Sequence, residues 1–415
     1  MFQSFAILLT LATIFSYINY RWFKLPTTIG LMIMAFLTAI TIIGSKSLVP
    51  DLYTFFCELV IGLDFKTILM EMMLSFLLFA GALHVNIQDL KEQRKPVLLF
   101  ATIGVLISTL LVGGAIYFIA PLLGLSIPFL HCLVFGALIS PTDPIAVIAI
   151  LKEAKVSKSV ELKIEGESLF NDGIGVVVFT GILLLIEGQH MMEGGESIGK
   201  EVLFLFAEEA VGGVLYGLLI GFVAWKLIKS IQENTHLAIL LTLSIALGGY
   251  SLASLIHVSG PLAMVVAGLL IGNKINGPNF SNSSRASIGE FWEILDDTLN
   301  AVLFVLIGLV IHLLSFEMSY FYLGLISILV VIISRFISVY LPFSLLKHQG
   351  TNLLKTVGVL TWGGLRGGIS VALALSLDDS YSREPILFIT YIVVLFSIIV
   401  QGLSLGKVVK KLNIN

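Results

Sequence analysis

The sequence predicts an all-α integral membrane protein with thirteen transmembrane helices, the fifth and twelfth of them discontinuous. Three observations predict it. The 415 residues are 57% apolar and only 12% charged, where a soluble domain carries about 25% charged residues. Mean hydropathy is +1.01. Apolar runs near the ~20 residues that cross a bilayer follow one another along the whole chain, and basic residues collect after every second run.

The runs centre on Leu11, Ala35, Leu74, Thr109, Leu138, Val178, Leu215, Ser244, Val266, Leu306, Val331, Trp362 and Phe396. Met1 to Tyr20 lacks a basic start and a small-residue cleavage site, so it is read as the first span and not a signal peptide. Residues 52–63 are too short and acidic to span and are placed at the interface before span 3. Lys and Arg test the count. Arg21 and Lys24 follow span 1, Lys91, Arg94 and Lys95 follow span 3, and Lys152, Lys155, Lys158 and Lys163 follow span 5. With those after spans 7, 9, 11 and 13, eighteen basic residues fall on one side. Lys46, Lys66, Lys200 and Arg383 fall on the other, beside most of the loop acids. The N-terminus is therefore expected outside and the C-terminus in the cytoplasm, with the compact chain suggesting a prokaryotic inner membrane.

The net charge of −3 excludes a nucleic-acid partner, which needs a basic patch. Cys57 and Cys132 have neither zinc nor redox spacing and read as small apolar residues. No cofactor is implied. The patterns at Asn279 and Asn282 match a glycosylation acceptor, but this topology puts them in a cytoplasmic loop, so they read as chance matches. The seven histidines fall mostly near helix ends and read as packing.

Span 5 contains Ser140-Pro141-Thr142-Asp143-Pro144. The prolines deprive the carbonyls of Ala137 and Ser140 of their helical partners. Unpaired carbonyls at membrane depth are tolerated where they line a cavity or meet a ligand, and beside Thr142 and Asp143 they suit a hard cation such as Na⁺. A plain proline kink is the alternative, but it would not need the acid. Span 12 contains Gly363-Gly364-Leu365-Arg366-Gly367-Gly368. Four glycines disfavour a regular helix there, and Arg366 is another expensive intramembrane charge. Breaks seven spans apart lie in segments of opposite direction, the inverted repeat of secondary transporters. Residues 1–187 would be one half, 199–230 the connecting span 7, and 235–412 the other half of a single 1–415 membrane domain.

On span 6, Glu167, Ser168, Asn171 and Asp172 share one helix face by their spacing. An acid at the bilayer centre costs roughly 2.5–3.5 kcal/mol on the lenient scale, so Asp143 and Asp172 imply ion handling. A carboxylate desolvated beside a second acid holds a proton readily and gives it up when a cation arrives. A site binding either H⁺ or Na⁺ yields exchange when access alternates. Salt bridges to Arg335 and Arg366 are the alternative reading, favoured for Glu167 and not for Asp172. Asn171 beside Asp172 is placed to orient a neighbour.

Together the span 5 and span 6 motifs, Leu299-Asn300-Ala301-Val302-Leu303-Phe304 and Gly364-Leu365-Arg366-Gly367 resemble the cation:proton antiporters of the NhaP/NHE type, over the whole chain. The resemblance implies a homodimer of thirteen-helix protomers with an inverted-repeat antiporter fold, exchanging Na⁺, Li⁺ or K⁺ for H⁺ across the lipid bilayer. Asp172 would be the exchanging carboxylate, with Thr142, Asp143 and Ser168 completing the site for transported Na⁺. Asn171 would mark the electroneutral branch. Glu167 would pair with a basic residue, Arg335 first, and Arg366 would steady the break in span 12. Ala80 stands where some members carry an acid. A K⁺-preferring antiporter is the alternative. A passive cation channel lacks a filter loop here. An intramembrane aspartyl protease fits poorly because Asp172 precedes Gly173-Ile174-Gly175, so no enzyme is expected.

Overall fold

The computed structural model describes the chain apart from residues 1, 62–65, 145–146, 149, 152–155, 157, 192–197, 232–233, 278–279, 346–352 and 413–415. Lys152 and Lys155 after span 5, Lys347 among the basic residues after span 11, and the acceptor-pattern Asn279 lie outside the described residues. Among those described, only helices, turns and loops occur. Eight helices are long and apolar enough to cross a membrane, and four shorter apolar helices stand among them. In chain order the helices that matter here are α1 (Phe2–Ile18), α2 (Thr27–Gly44), α3 (Ile68–His84), α4 (Arg94–Leu123), α5 (Phe129–Ile139), α6 (Lys158–Met191) and α7 (Ile198–Ser230). They continue with α8 (Thr235–Leu255), α9 (Gly260–Ile275), α10 (Asn282–Leu313), α11 (Met318–Leu345), α12 (Leu353–Trp362), α13 (Gly368–Leu375) and α14 (Arg383–Leu412). Each of the thirteen sequence centres falls in one of these helices. The segment placed at the interface is a short helix, Pro50–Ile61.

With lipid as solvent, helices associate through close packing of small residues and not through exclusion of water. Gly268 and Gly272 of α9 lie against the backbone of α3 at Phe79 and Leu83. A methyl group on Gly268 would stand 2.7 Å from the Phe79 carbonyl. Gly136 of α5 lies likewise against the Thr109 carbonyl of α4. Gly175 of α6 lies under the Pro141 ring, which lets α6 approach the interruption that follows α5. Around that point α5, α6, α11, α13 and α14 converge, and the site is built there.

Candidate functional site

Helix α5 ends at Ile139, and residues 141–144 are not helical. Helix α12 ends at Trp362, and α13 resumes at Gly368. The two interruptions meet. The Asp143 N–H donates to the Leu365 carbonyl at 2.8 Å. The Arg366 guanidinium, fully buried, donates to the carbonyls of Ser140 and, at 3.0 Å, Pro141. The Arg366 N–H is itself held by Ser397 Oγ of α14 at 2.9 Å.

The freed Ser140 carbonyl is therefore not left waiting for a cation, as the prolines alone suggested. A guanidinium in the opposite break takes it, because a buried cationic donor and an unpaired carbonyl satisfy each other. The glycines of the second break serve close approach. A methyl group on Gly367 would fall on the Asp143 carboxylate, and one on Gly364 would stand 2.7 Å from Arg335 Nε.

Helix α6 brings its four polar residues to this crossing. Glu167 and Arg335 of α11, both buried, form a two-pronged pair: one guanidinium nitrogen contacts Glu167 Oε1 and the other donates to Oε2 at 2.9 Å. Arg335 also donates to the Leu360 carbonyl at 3.4 Å. Thr142 is clasped by α6. Asn171 Nδ2 donates to its hydroxyl at 2.9 Å, Asn171 Oδ1 accepts from its N–H at 3.4 Å, and Ser168 Oγ is 3.1 Å from Thr142 Oγ1. So Asn171 orients Thr142. Thr142, Ser168 and Asn171 are buried, while Asp143 and Asp172 keep partial exposure.

That exposure is to a cavity of about 220 Å³. Asp143 and Asp172 both line it, with Thr142 and Ser168, and so do Asp296 and Asn300 of α10. Glu167, Asn171, Arg335 and Arg366 are absent from its wall; Asn171 and Arg366 brace the lining residues Thr142 and Pro141, and Glu167 and Arg335 hold each other behind them. The cavity extends toward His84 and Glu165, at the ends of α3 and α6 next to the lysine-rich connections. Asp296 was missed by sequence reasoning. The available signal was an acid one helical turn before Asn300, within Asp296-Asp297-Thr298-Leu299-Asn300. Asn300 Nδ2 bonds the Asp296 carbonyl at 2.9 Å. Ala80 is buried and contributes no acid.

A second vestibule, of about 670 Å³, lies on the opposite side and is lined by Glu71, Glu187, Glu209, His257 and Asp378 among others. Along α6, Ser168, Leu169 and Asp172 face the first cavity, and Val176, Thr180, Leu183 and Glu187 are among those that face the second. Between them Leu262 of α9, almost wholly buried, packs against Gly173, where a methyl group would stand 2.7 Å from its Cδ2. The wall separating the two openings is thus about one turn of α6 thick, roughly 6 Å at 1.5 Å per residue.

The chain matches the family described as sodium/hydrogen exchanger, transmembrane, over residues 7–411. It is 43% identical to the Na⁺/H⁺ antiporter NhaP of Pseudomonas aeruginosa over 412 residues, covering 98% of this chain and 96% of that protein. It is 36% identical to the Na⁺/H⁺ antiporter NhaH of Halobacillus aidingensis over 354 residues, 84% of each. Its fold is that of the solved sodium proton antiporter MjNhaP1 from Methanocaldococcus jannaschii, with a TM-score of 0.74 at 22% identity over 98% of this chain and 97% of that one. By its sequence across nearly its full length, and by its fold, this chain belongs to the sodium/hydrogen exchanger family.

Proposed function

We propose that the chain is a secondary transporter that exchanges Na⁺ for H⁺, one for one, with the two ions competing for Asp172. One observation carries this: Asp143 and Asp172 line a single cavity where two broken helices cross inside an apolar helical protein. Polar groups at that depth are costly unless a transported charge uses them. Asp172, Asp143 and Ser168 supply oxygen to a desodiated or sodium-bound site, with Thr142 held in place for it by Asn171. The relatives named above are Na⁺/H⁺ antiporters, which favours Na⁺ over K⁺ and a transporter over an enzyme.

The full assignment is thirteen spans with the N-terminus outside and the C-terminus in the cytoplasm of a prokaryotic inner membrane. Residues 1–187 and 235–412 form inverted halves joined by 199–230, and two protomers form a homodimer. The meeting of the two breaks supports the inverted arrangement. Proteoliposomes carrying an internal pH dye test the transport reading. Added Na⁺ is expected to dissipate an imposed pH gradient, independently of a potassium diffusion potential, and Asp172→Asn to be silent. A wild-type protein that moves no protons with Na⁺, Li⁺ or K⁺ refutes the reading. A rate that follows the membrane potential refutes one-for-one exchange.

A further inference from the structure

Helix α7 carries Gly213, Gly217 and Gly221 at intervals of four, on one face. These meet Ser259, which caps α9, and Ala263 and Ala267 of α9, in the same order. Methyl groups on Gly217 and Gly221 would stand 2.6 Å from the Ala263 carbonyl and 3.0 Å from Ala267 Cα. The two helices therefore run parallel in tight register. One turn beyond Gly221 the register brings Trp225 of α7 to Lys274 of α9, whose Nζ lies 4.8 Å from the Trp225 ring centre. Lys229 Nζ lies 5.6 Å from the same ring, and Lys226 Nζ lies 4.7 Å from the ring of Phe222.

Two exposed ammonium groups from two helices thus gather around one half-buried tryptophan, and a third covers Phe222, whose ring centre lies 5.7 Å from that of Trp225. Among the described residues none of the three has a carboxylate partner. Lysines held together without an anion repel one another, and the aromatic faces offset only part of that. The cluster sits at the end of α7, among the lysine-rich connections. The α7 surface leading away from it toward mid-helix is apolar and open: Leu218, Leu219, Phe222 and Val223 are 43–62% exposed. Aromatic residues mark the level of lipid headgroups, and basic pockets between helices at that level suit anionic headgroups.

We propose that Lys226, Lys229 and Lys274, set around the neighbouring rings of Phe222 and Trp225, bind the phosphate of an anionic phospholipid whose acyl chains lie along Leu218, Leu219 and Val223. The charge supplies the preference for an anion, and the continuous apolar strip below it supplies the preference for a lipid over a free phosphate. The inference is independent of the transport reading, since none of these residues lines the ion cavity.

The test is native mass spectrometry of the full chain in neutral detergent, titrated with phosphatidylglycerol, phosphatidylcholine or inorganic phosphate. Phosphatidylglycerol is expected to bind the wild type more tightly than phosphatidylcholine. Each lysine near a membrane surface contributes about fivefold in affinity. Hence Lys274→Gln alone is expected to weaken phosphatidylglycerol about fivefold, and the triple variant K226Q/K229Q/K274Q on the order of a hundredfold. Phosphatidylcholine binding is expected to be unchanged in both. Thermal unfolding in detergent at the wild-type temperature shows that the variants are intact. Phosphatidylglycerol binding that is equal in wild type and triple variant overturns the proposal. So does inorganic phosphate displacing the lipid, which assigns the cluster to a free anion, and so does lipid binding confined to monomer, which assigns this face to a second copy of the chain.

Discussion

The main-chain N–H of Asp143 donates to the main-chain carbonyl of Leu365 at 2.8 Å, so two helices interrupted more than two hundred residues apart are stitched backbone to backbone at their breaks. Side chains then lock the stitch, with Arg366 bonded to carbonyls of the first break and its own N–H anchored on α14.

Gly367 tests that closeness directly. Gly367→Ala drives a methyl group into the Asp143 carboxylate, and overpacking of this kind typically costs about 1–3 kcal/mol. The expected outcome is a folded protein with Na⁺-driven proton movement reduced at least tenfold. Gly114→Ala, where a methyl group meets nothing within 4 Å, should move protons as the wild type does.

The Glu167–Arg335 pair makes a stability prediction. Removing one member of a buried pair leaves an uncompensated charge and costs about 3–5 kcal/mol. Replacing both by apolar residues of similar size is far milder. Thermal unfolding in detergent should show Glu167→Ala strongly destabilised and Glu167→Met/Arg335→Met near the wild type, the reverse of simple addition.

Asn171 acts through Thr142 by two hydrogen bonds. Asn171→Ala and Thr142→Ala should each raise the Na⁺ concentration needed for half-maximal exchange. The double variant should be little worse than either single one. A coupling of about 0.5–3 kcal/mol is typical of contacting polar residues; additive losses would break the link.

Asp296 lines the cavity, while Thr142, Ser168 and Asn171 bond one another. Asp296→Asn should weaken apparent Na⁺ affinity several-fold and leave the maximal rate nearly intact, with Asp296→Glu restoring affinity. Loss of the maximal rate instead would place Asp296 beside Asp172 in the exchange itself.

Leu262 separates the two openings at Gly173. Leu262→Ala removes about 2–5 kcal/mol of packing and leaves a thinner apolar wall. A pH gradient held without Na⁺ should decay faster than in wild-type vesicles, while Leu262→Met holds it.

The helices were legible because lipid enforces long apolar runs, and each expected centre lies in a helix. The four polar positions of α6 were legible from the 3.6-residue repeat alone, and so was the expensive Arg366. What Arg366 touches was not: its acceptor at Ser140 lies 226 residues away, and nothing local to either break says which carbonyl is answered. Asp296 stayed hidden for a different reason. Glu293, Asp296 and Asp297 precede the apolar run centred on Leu306, and only tertiary packing carries one of them to the cavity that Asp143 lines. The division of labour inside one α6 face was equally a matter of packing. Glu167 turns to α11, Asn171 to Thr142, and Asp172 to the cavity.

The charges fixed at the crossing have an electrical consequence. Glu167 cancels Arg335, and in the proposed exchange a single Na⁺ or a single proton cancels the charge of Asp172. The two loaded forms then carry the same charge, so the membrane field treats them alike. Emptied, the site carries one more negative charge, and moving that charge across 100 mV involves about 2.3 kcal/mol, added to the expense of a bare anion in hydrocarbon. On the proposed exchange, that charge would hold the empty form where it is without any separate latch.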